Sequence, residues 1–172
     1  MAFIRRGRKN RTDMEERRDR RPLRLKGYDY SNRGAYFLTI CVKERRCVLG
    51  RVVGADVLIG PKVQLSSKGQ VVRDILAQMP QVDKFVVMPN HIHMIVCLER
   101  GPMGTSAPTG GVPVLVRYFK RQVTLGLRES LWQRSYYDHI IRDENDYLRI
   151  WNYIDSNPAK WAEDQYYIAQ ES

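Results

Sequence analysis

Apolar and polar positions recur along this chain with two different periods. Residues 36–42 (Tyr-Phe-Leu-Thr-Ile-Cys-Val) are aromatic and β-branched and follow the turn residues Ser31, Asn32, Arg33 and Gly34, which predicts a strand. Residues 47–53 could pair back on it as a short hairpin arm. Ser67-x-x-Gln70 reads as a capping box ahead of Val71, Val72, Ile75 and Leu76, a helical stripe ending near Pro80. Residues 84–88 and 91–98 are two strand-like runs joined at Pro89-Asn90, either a tight turn or a kink within one long strand. Residues 101–113 hold four glycines and three prolines and predict a mobile loop. Val114, Leu115, Tyr118, Phe119, Gln122 and Val123 give a helix, and residues 131–141 are aromatic and β-branched enough for a strand. Asp143 can cap a last helix that runs through Tyr147, Ile150, Trp151 and Ile154 towards Asn157-Pro158. No internal repeat interrupts this order. It predicts an α+β fold, an α/β sandwich of ferredoxin-like character in which helices pack on a mostly antiparallel sheet.

Composition adds boundaries. The chain has 172 residues, which fits one domain with extensions. Eleven basic side chains between Arg5 and Lys26 face four acidic ones, so seven of the ten net positive charges precede residue 27. Residues 1–22 are therefore expected to be a basic, flexible arm that adds salt-sensitive affinity for phosphates, with a solubility role as the alternative. Residues 23–172 would form the folded domain, with its mobile loop near 100–113. Cys41, Cys47 and Cys97 show no CxxC spacing and are expected to be buried thiols of a reducing compartment. No apolar run has the length of a membrane span, and the basic N-terminus lacks the apolar stretch of a secretory signal, so a cytoplasmic location is expected.

Two of the three histidines, His91 and His93, stand two residues apart in a β-branched run. On a strand they point to one face, which makes half of a divalent-metal site or a pair of ordinary polar side chains. On the last helix, Tyr147, Ile150, Trp151, Ile154 and Pro158 share one stripe. Tyr153 falls about 120° away from it, among Asp146, Arg149 and Asn157. A phenol off the core stripe is either an amphipathic surface residue or a functional group. Asn157, before Pro158, could simply cap a following turn.

Residues 87–93 (Val-Met-Pro-Asn-His-Ile-His) closely resemble the signature of the His-hydrophobic-His single-strand DNA nucleases. More specifically, the chain resembles the REP-associated tyrosine transposases, relatives of the single-tyrosine transposases of insertion sequences. Three further blocks carry the resemblance: Tyr28-Asp29-Tyr30 with Gly34-Ala35-Tyr36-Phe37, residues 132–139, and Asn152-Tyr153-Ile154-Asp155-Ser156-Asn157-Pro158. It spans about residues 23–162. Insertion-sequence relatives often carry glutamine four residues after the nucleophile, where this chain has Asn157.

The resemblance implies a metal-dependent transposase that nicks and rejoins single-stranded or hairpin DNA. His91, His93 and Asn157 would hold one divalent ion, Mg²⁺ or Mn²⁺. Tyr153 would attack phosphorus and leave a 5′-phosphotyrosine and a free 3′-OH. Trp132, Tyr136 and Tyr137 are candidate base-stacking residues, with core packing as the alternative, and Lys120 and Arg121 are candidate phosphate contacts. The protein would be a monomer or a homodimer with no membrane partner, its active site built within one chain or across two. A catalytically inactive hairpin-binding protein is the alternative. A zinc hydrolase fits poorly, because no third His, Cys or acidic ligand stands at a typical spacing; His139, beside Asp138, suggests a structural or DNA contact.

Overall fold

The computed structural model describes residues 34–54, 60–98 and 111–169. The basic arm, the Tyr28-Asp29-Tyr30 block and most of the expected loop near 100–113 lie outside them.

Strand β1 (Gly34–Cys41) is followed by a short 3₁₀ turn (Lys43–Arg45), a two-stranded arm of β2 (Gly50–Val53) and β3 (Lys62–Leu65), and helix α1 (Ser67–Ala77). Then come β4 (Val82–Val87), β5 (His91–Leu98), α2 (Gly111–Leu127), β6 (Tyr137–Ile141), α3 (Glu144–Ser156) and a closing 3₁₀ segment (Asn157–Glu163). The main sheet has the order β4-β5-β1-β6 with every pairing antiparallel. Leaving the small arm aside, the path is β-α-β-β-α-β followed by α3, so the fold is the ferredoxin-like α+β architecture that the apolar pattern predicts, with one added helix.

Alternation along β1 and β5 divides the core between the sheet's two faces. Tyr36, Leu38, Ile40, Ile92, Met94 and Val96 join Val72 and Leu76 of α1 and the α2 stripe Val112, Leu115, Val116, Phe119 and Val123. Phe37 and Ile95 instead meet Ile150 and Ile154 of α3. The register pairs Thr39 with His93 and Cys41 with His91. Both histidines therefore stand on the α3 face, where α3 would otherwise need apolar neighbours.

Pro89-Asn90 is a tight turn between antiparallel strands. The Met88 N–H donates to the His91 carbonyl, and the Pro89 and Asn90 carbonyls accept from the Leu49 and Val42 N–H groups. Several boundaries differ from the sequence expectation. The arm pairs β2 with β3 in a sheet of its own, because both edges of β1 are already taken by β5 and β6. The α1 cap is Ser66, whose Oγ accepts from the Gly69 N–H at 3.1 Å, one residue before the expected Ser67. Helix α2 begins at Gly111, within the glycine-rich stretch, because Pro113 is tolerated in a helix's first turn. Of residues 131–141 only the end is a strand, with Trp132 making one isolated bridge to Val42. The three cysteines are partly exposed rather than buried, and none forms a disulfide.

Candidate active site

The Nε2 atoms of His91 and His93 face each other at 2.9 Å, and both side chains are buried. Their other ring nitrogens are held from behind. His93 Nδ1 is 2.8 Å from Thr39 Oγ1, its partner across the sheet. His91 Nδ1 is 2.8 Å from Asn90 Oδ1. The orientation of that amide is determined, because Asn90 Nδ2 donates to the carbonyls of Arg45 and Tyr166, at 3.2 and 2.8 Å. Its Oδ1 can only accept, so His91 carries its proton on Nδ1 and presents a lone pair at Nε2. The Pro89-Asn90 turn therefore selects the tautomer a metal ligand needs.

Burial, reinforced by the neighbouring His93, pushes His91 down to about 2 against the opposing pull of Asp164. Burial lowers His93 too, again against Asp164. Desolvation prevails over the carboxylate, and both imidazoles stay neutral near pH 7.

Asp164 comes from the turn after the closing 3₁₀ segment. Its Oδ2 lies 4.0 Å from each Nε2, and its side chain is buried. Three atoms so spaced are all about 2.1 Å from one point between them, the bond length of Mg²⁺ to oxygen or Zn²⁺ to imidazole. These three residues are a group that could hold a metal ion. Burial raises Asp164, but the polar contact with His93 and hydrogen bonds from the Tyr166 N–H and the Asn157 amide bring it down to about 2. It is a carboxylate at neutral pH.

Tyr153, on α3, meets this group from the open side. Its hydroxyl is 3.3 Å from His93 Nε2 and 3.5 Å from Asp164 Oδ2. Its ring stands edge-on to Phe37 and His93. At 39 % exposure it is off the apolar stripe of Ile150 and Ile154, as helical geometry predicts. Burial and the Asp164 charge raise the phenol to about 12, with Asn157 working the other way. One turn on, Asn157 begins the 3₁₀ segment but does not cap it with its side chain. Its Nδ2 donates to Asp164 Oδ2 at 3.1 Å, and its Oδ1 is buried without a hydrogen-bond partner.

No family model matches the chain. A protein of Haemophilus influenzae described only as uncharacterized is 37% identical over 174 residues, which cover 87% of this chain and 93% of that one. A REP-associated tyrosine transposase of Escherichia coli K12 is 27% identical over 138 residues, covering 76% of this chain and 70% of that one. A solved structure of a REP-associated tyrosine transposase bound to a REP hairpin matches with a TM-score of 0.58 at 25% identity, over 80% of this chain and 73% of that one. The chain is thus similar in sequence and in fold to REP-associated tyrosine transposases.

The other expected site residues lie apart from the histidines. Lys120 Nζ donates to the carbonyls of Gln133, Arg134 and Ser135, and burial lowers it to about 8. Trp132 packs on Phe119 in the core, Tyr136 is partly buried, and Tyr137 and Arg121 face solvent. His139 is 2.7 Å from Asp146 on α3. Asp164, Thr39 and the role of Asn90 were not visible in the sequence. The acidic third donor that ligand spacing did not supply is Asp164, 71 residues beyond His93. Nothing local separates it from its acidic neighbour Glu163; only the chain's return across the α3 face does. Among the described residues, no helix is long and apolar enough to cross a membrane.

Proposed function

We propose that this transposase nicks and rejoins single-stranded or hairpin DNA, with Tyr153 as nucleophile beside one divalent cation, Mg²⁺ or Mn²⁺. The observation that carries this reading is the Tyr153 hydroxyl 3.3 Å from His93 Nε2, at the edge of a three-donor cluster. The donors suit such a cation: a lone pair fixed on His91, a buried carboxylate, and the unpartnered Asn157 Oδ1. His91, His93 and Asp164 would hold the ion. Asn157 would orient Asp164 through its amide N–H and offer Oδ1 as a fourth donor. Bound there, a cation would neutralise charge on the scissile phosphate and on the leaving oxygen.

A phenol held up at about 12 is protonated at neutral pH and a weak nucleophile. A positive charge at the cluster would offset the Asp164 charge that helps to raise it. Tyr153 can then pass its proton to water as its oxygen bonds to phosphorus. The bond from phosphorus to the 3′ oxygen breaks, and that oxygen takes a proton. The products are a 3′-OH and a 5′-phosphotyrosine, whose ester retains the energy of the broken bond. Attack by another 3′-OH rejoins strands and releases the tyrosine. Tyr153 faces the histidines of its own chain, so a monomer suffices for this step. Arg121 and Tyr137 are exposed and available to backbone and bases, whereas Lys120, Tyr136 and Trp132 would support them from within.

Incubation with labelled hairpin DNA and Mn²⁺ or Mg²⁺ tests the reading. A covalent adduct on a denaturing gel is expected, lost in Tyr153→Phe. An adduct that persists in Tyr153→Phe rules out this nucleophile. Hairpin binding with no adduct across a broad oligonucleotide panel favours the inactive hairpin-binding alternative.

A further inference from the structure

Helix α3 carries a second polar cluster, one turn before Tyr153, that takes no part in the metal site. Asp146 Oδ2 accepts from His139 Nε2 at 2.7 Å, and Asp146 Oδ1 accepts from the Arg149 guanidinium. The Asp146 N–H donates to Asp143 Oδ1, so the carboxylate stands at a capped helix start. Burial raises Asp146, but the bonds from His139 and Arg149 prevail and hold it below the ordinary carboxylate range. An exposed arginine–carboxylate pair on a helix ordinarily contributes little. This pair is asymmetric: the Asp146 side chain is 15 % exposed and that of Arg149 70 %. The carboxylate is enclosed and held by donors from two elements, whereas the guanidinium stands in solvent. A guanidinium has five N–H donors, and among the described residues this one bonds only to Asp146. Its remaining donors are open to an acceptor from outside the chain.

The cluster stands beside the nucleophile. Arg149 precedes Tyr153 by four residues, about 6 Å back along α3 and about 40° around it. On the sheet, His139 pairs with Phe37, whose ring stacks on His93 at 5.2 Å and meets Tyr153 edge-on at 5.9 Å. One side chain thus separates the cluster from both His93 and Tyr153. Thr39, the partner of His93, pairs on its other side with Tyr137, which is 44 % exposed. Helix α3 leaves this part of the sheet face open to solvent.

We infer that Arg149 contacts a phosphate immediately adjacent to the one that Tyr153 attacks, and that His139 and Asp146 are positioning residues that aim its guanidinium. The inference rests on the reading of Tyr153 as the nucleophile. In-line attack needs the scissile phosphorus held at a fixed angle to the phenol oxygen, and the metal site grips the strand at one phosphate alone. A second grip one helical turn away, from the same helix as the nucleophile, restricts rotation of the strand about the first. Arginine suits this role because its planar fork can hold a carboxylate on one side and a phosphate on another.

The experiment measures the rate of adduct formation by the full chain at saturating protein with Mn²⁺. The substrates are a hairpin oligonucleotide and two copies of it, each with one uncharged methylphosphonate, on one side or the other of the scissile phosphate. Arg149→Gln should slow adduct formation about tenfold on the unmodified hairpin. One of the two methylphosphonates should slow the wild type similarly, and Arg149→Gln should then slow it no further. Asp146→Asn and His139→Gln should lose a few-fold in rate, and that loss should vanish with the same methylphosphonate. Arg149 is exposed, so its variant should keep the wild-type melting temperature. A loss in Arg149→Gln that is equal on all three substrates, or no loss on any, overturns the inference alone if Tyr153→Phe still abolishes the adduct. No adduct with any substrate, or one that persists in Tyr153→Phe, overturns this inference together with the reading on which it rests.

Discussion

Each histidine of the pair is held by a neighbour, and for His91 that neighbour also determines the proton. Asn90 can only accept from His91, and the Thr39 hydroxyl can rotate to donate to or accept from His93. Burial then keeps both rings neutral, and this has a consequence for stability. His91 and His93 lie below their ordinary value of 6.5 when folded, so below pH 6.5 the unfolded chain binds protons that the native chain does not. Stability should fall with pH in that window, by about 1.4 kcal/mol per pH unit for each histidine. Asp164 acts in the same direction in a lower window, between 3.8 and about 2. Thermal melts of chelator-treated protein between pH 7 and 5 should show the histidine slope, reduced by about half in His91→Gln. A wild-type melting temperature that is flat across that range would contradict the buried neutral pair.

At the scale of elements, the fold depends on one close approach that the sequence hides. Gly69, in the first turn of α1, lies so near the Leu49 carbonyl that a Cβ would stand 1.9 Å from the oxygen. Ser66 ties the same two segments, its N–H donating to the Leu49 carbonyl and its hydroxyl to that of Val48. The Leu49 N–H in turn donates to the Pro89 carbonyl, so α1 is braced against the turn that carries Asn90. Gly69→Ala should cost about 3 kcal/mol or more, read as a lower midpoint in urea unfolding, because backbone rather than a flexible side chain must move. Helix propensity alone would have Ala stabilise α1 by about 1 kcal/mol, so the sign of the measured change decides between the two. The stripes of α2 and α3 and the Asp143 cap were legible because they depend on spacing within one element. The Ser66 cap and the separate β2–β3 sheet were not, since each is settled by which edges and carbonyls are occupied elsewhere.

For the molecule as a whole, charge and fold are separable. Most of the net charge precedes residue 27, outside the described residues, while the ferredoxin-like body buries its own core on both faces of one sheet. A chain starting at residue 23 should therefore keep its melting temperature and its adduct with hairpin DNA. It should bind that DNA more weakly, with a log–log salt slope shallower by several units. An unchanged slope would mean that the arm does not contact the phosphates. The sequence by itself determined what is periodic or local: strands and helices, the common face of His91 and His93, the displacement of Tyr153 from its stripe, and the basic arm. The tertiary structure alone decided which of these meet. Asp164 reaches the histidines because the segment after α3 folds back over the sheet, and Asn90 sets a tautomer because Arg45 and Tyr166 hold its amide. Neither has a period or a spacing. Both come from contacts between segments far apart in the chain, which the folded core alone brings together.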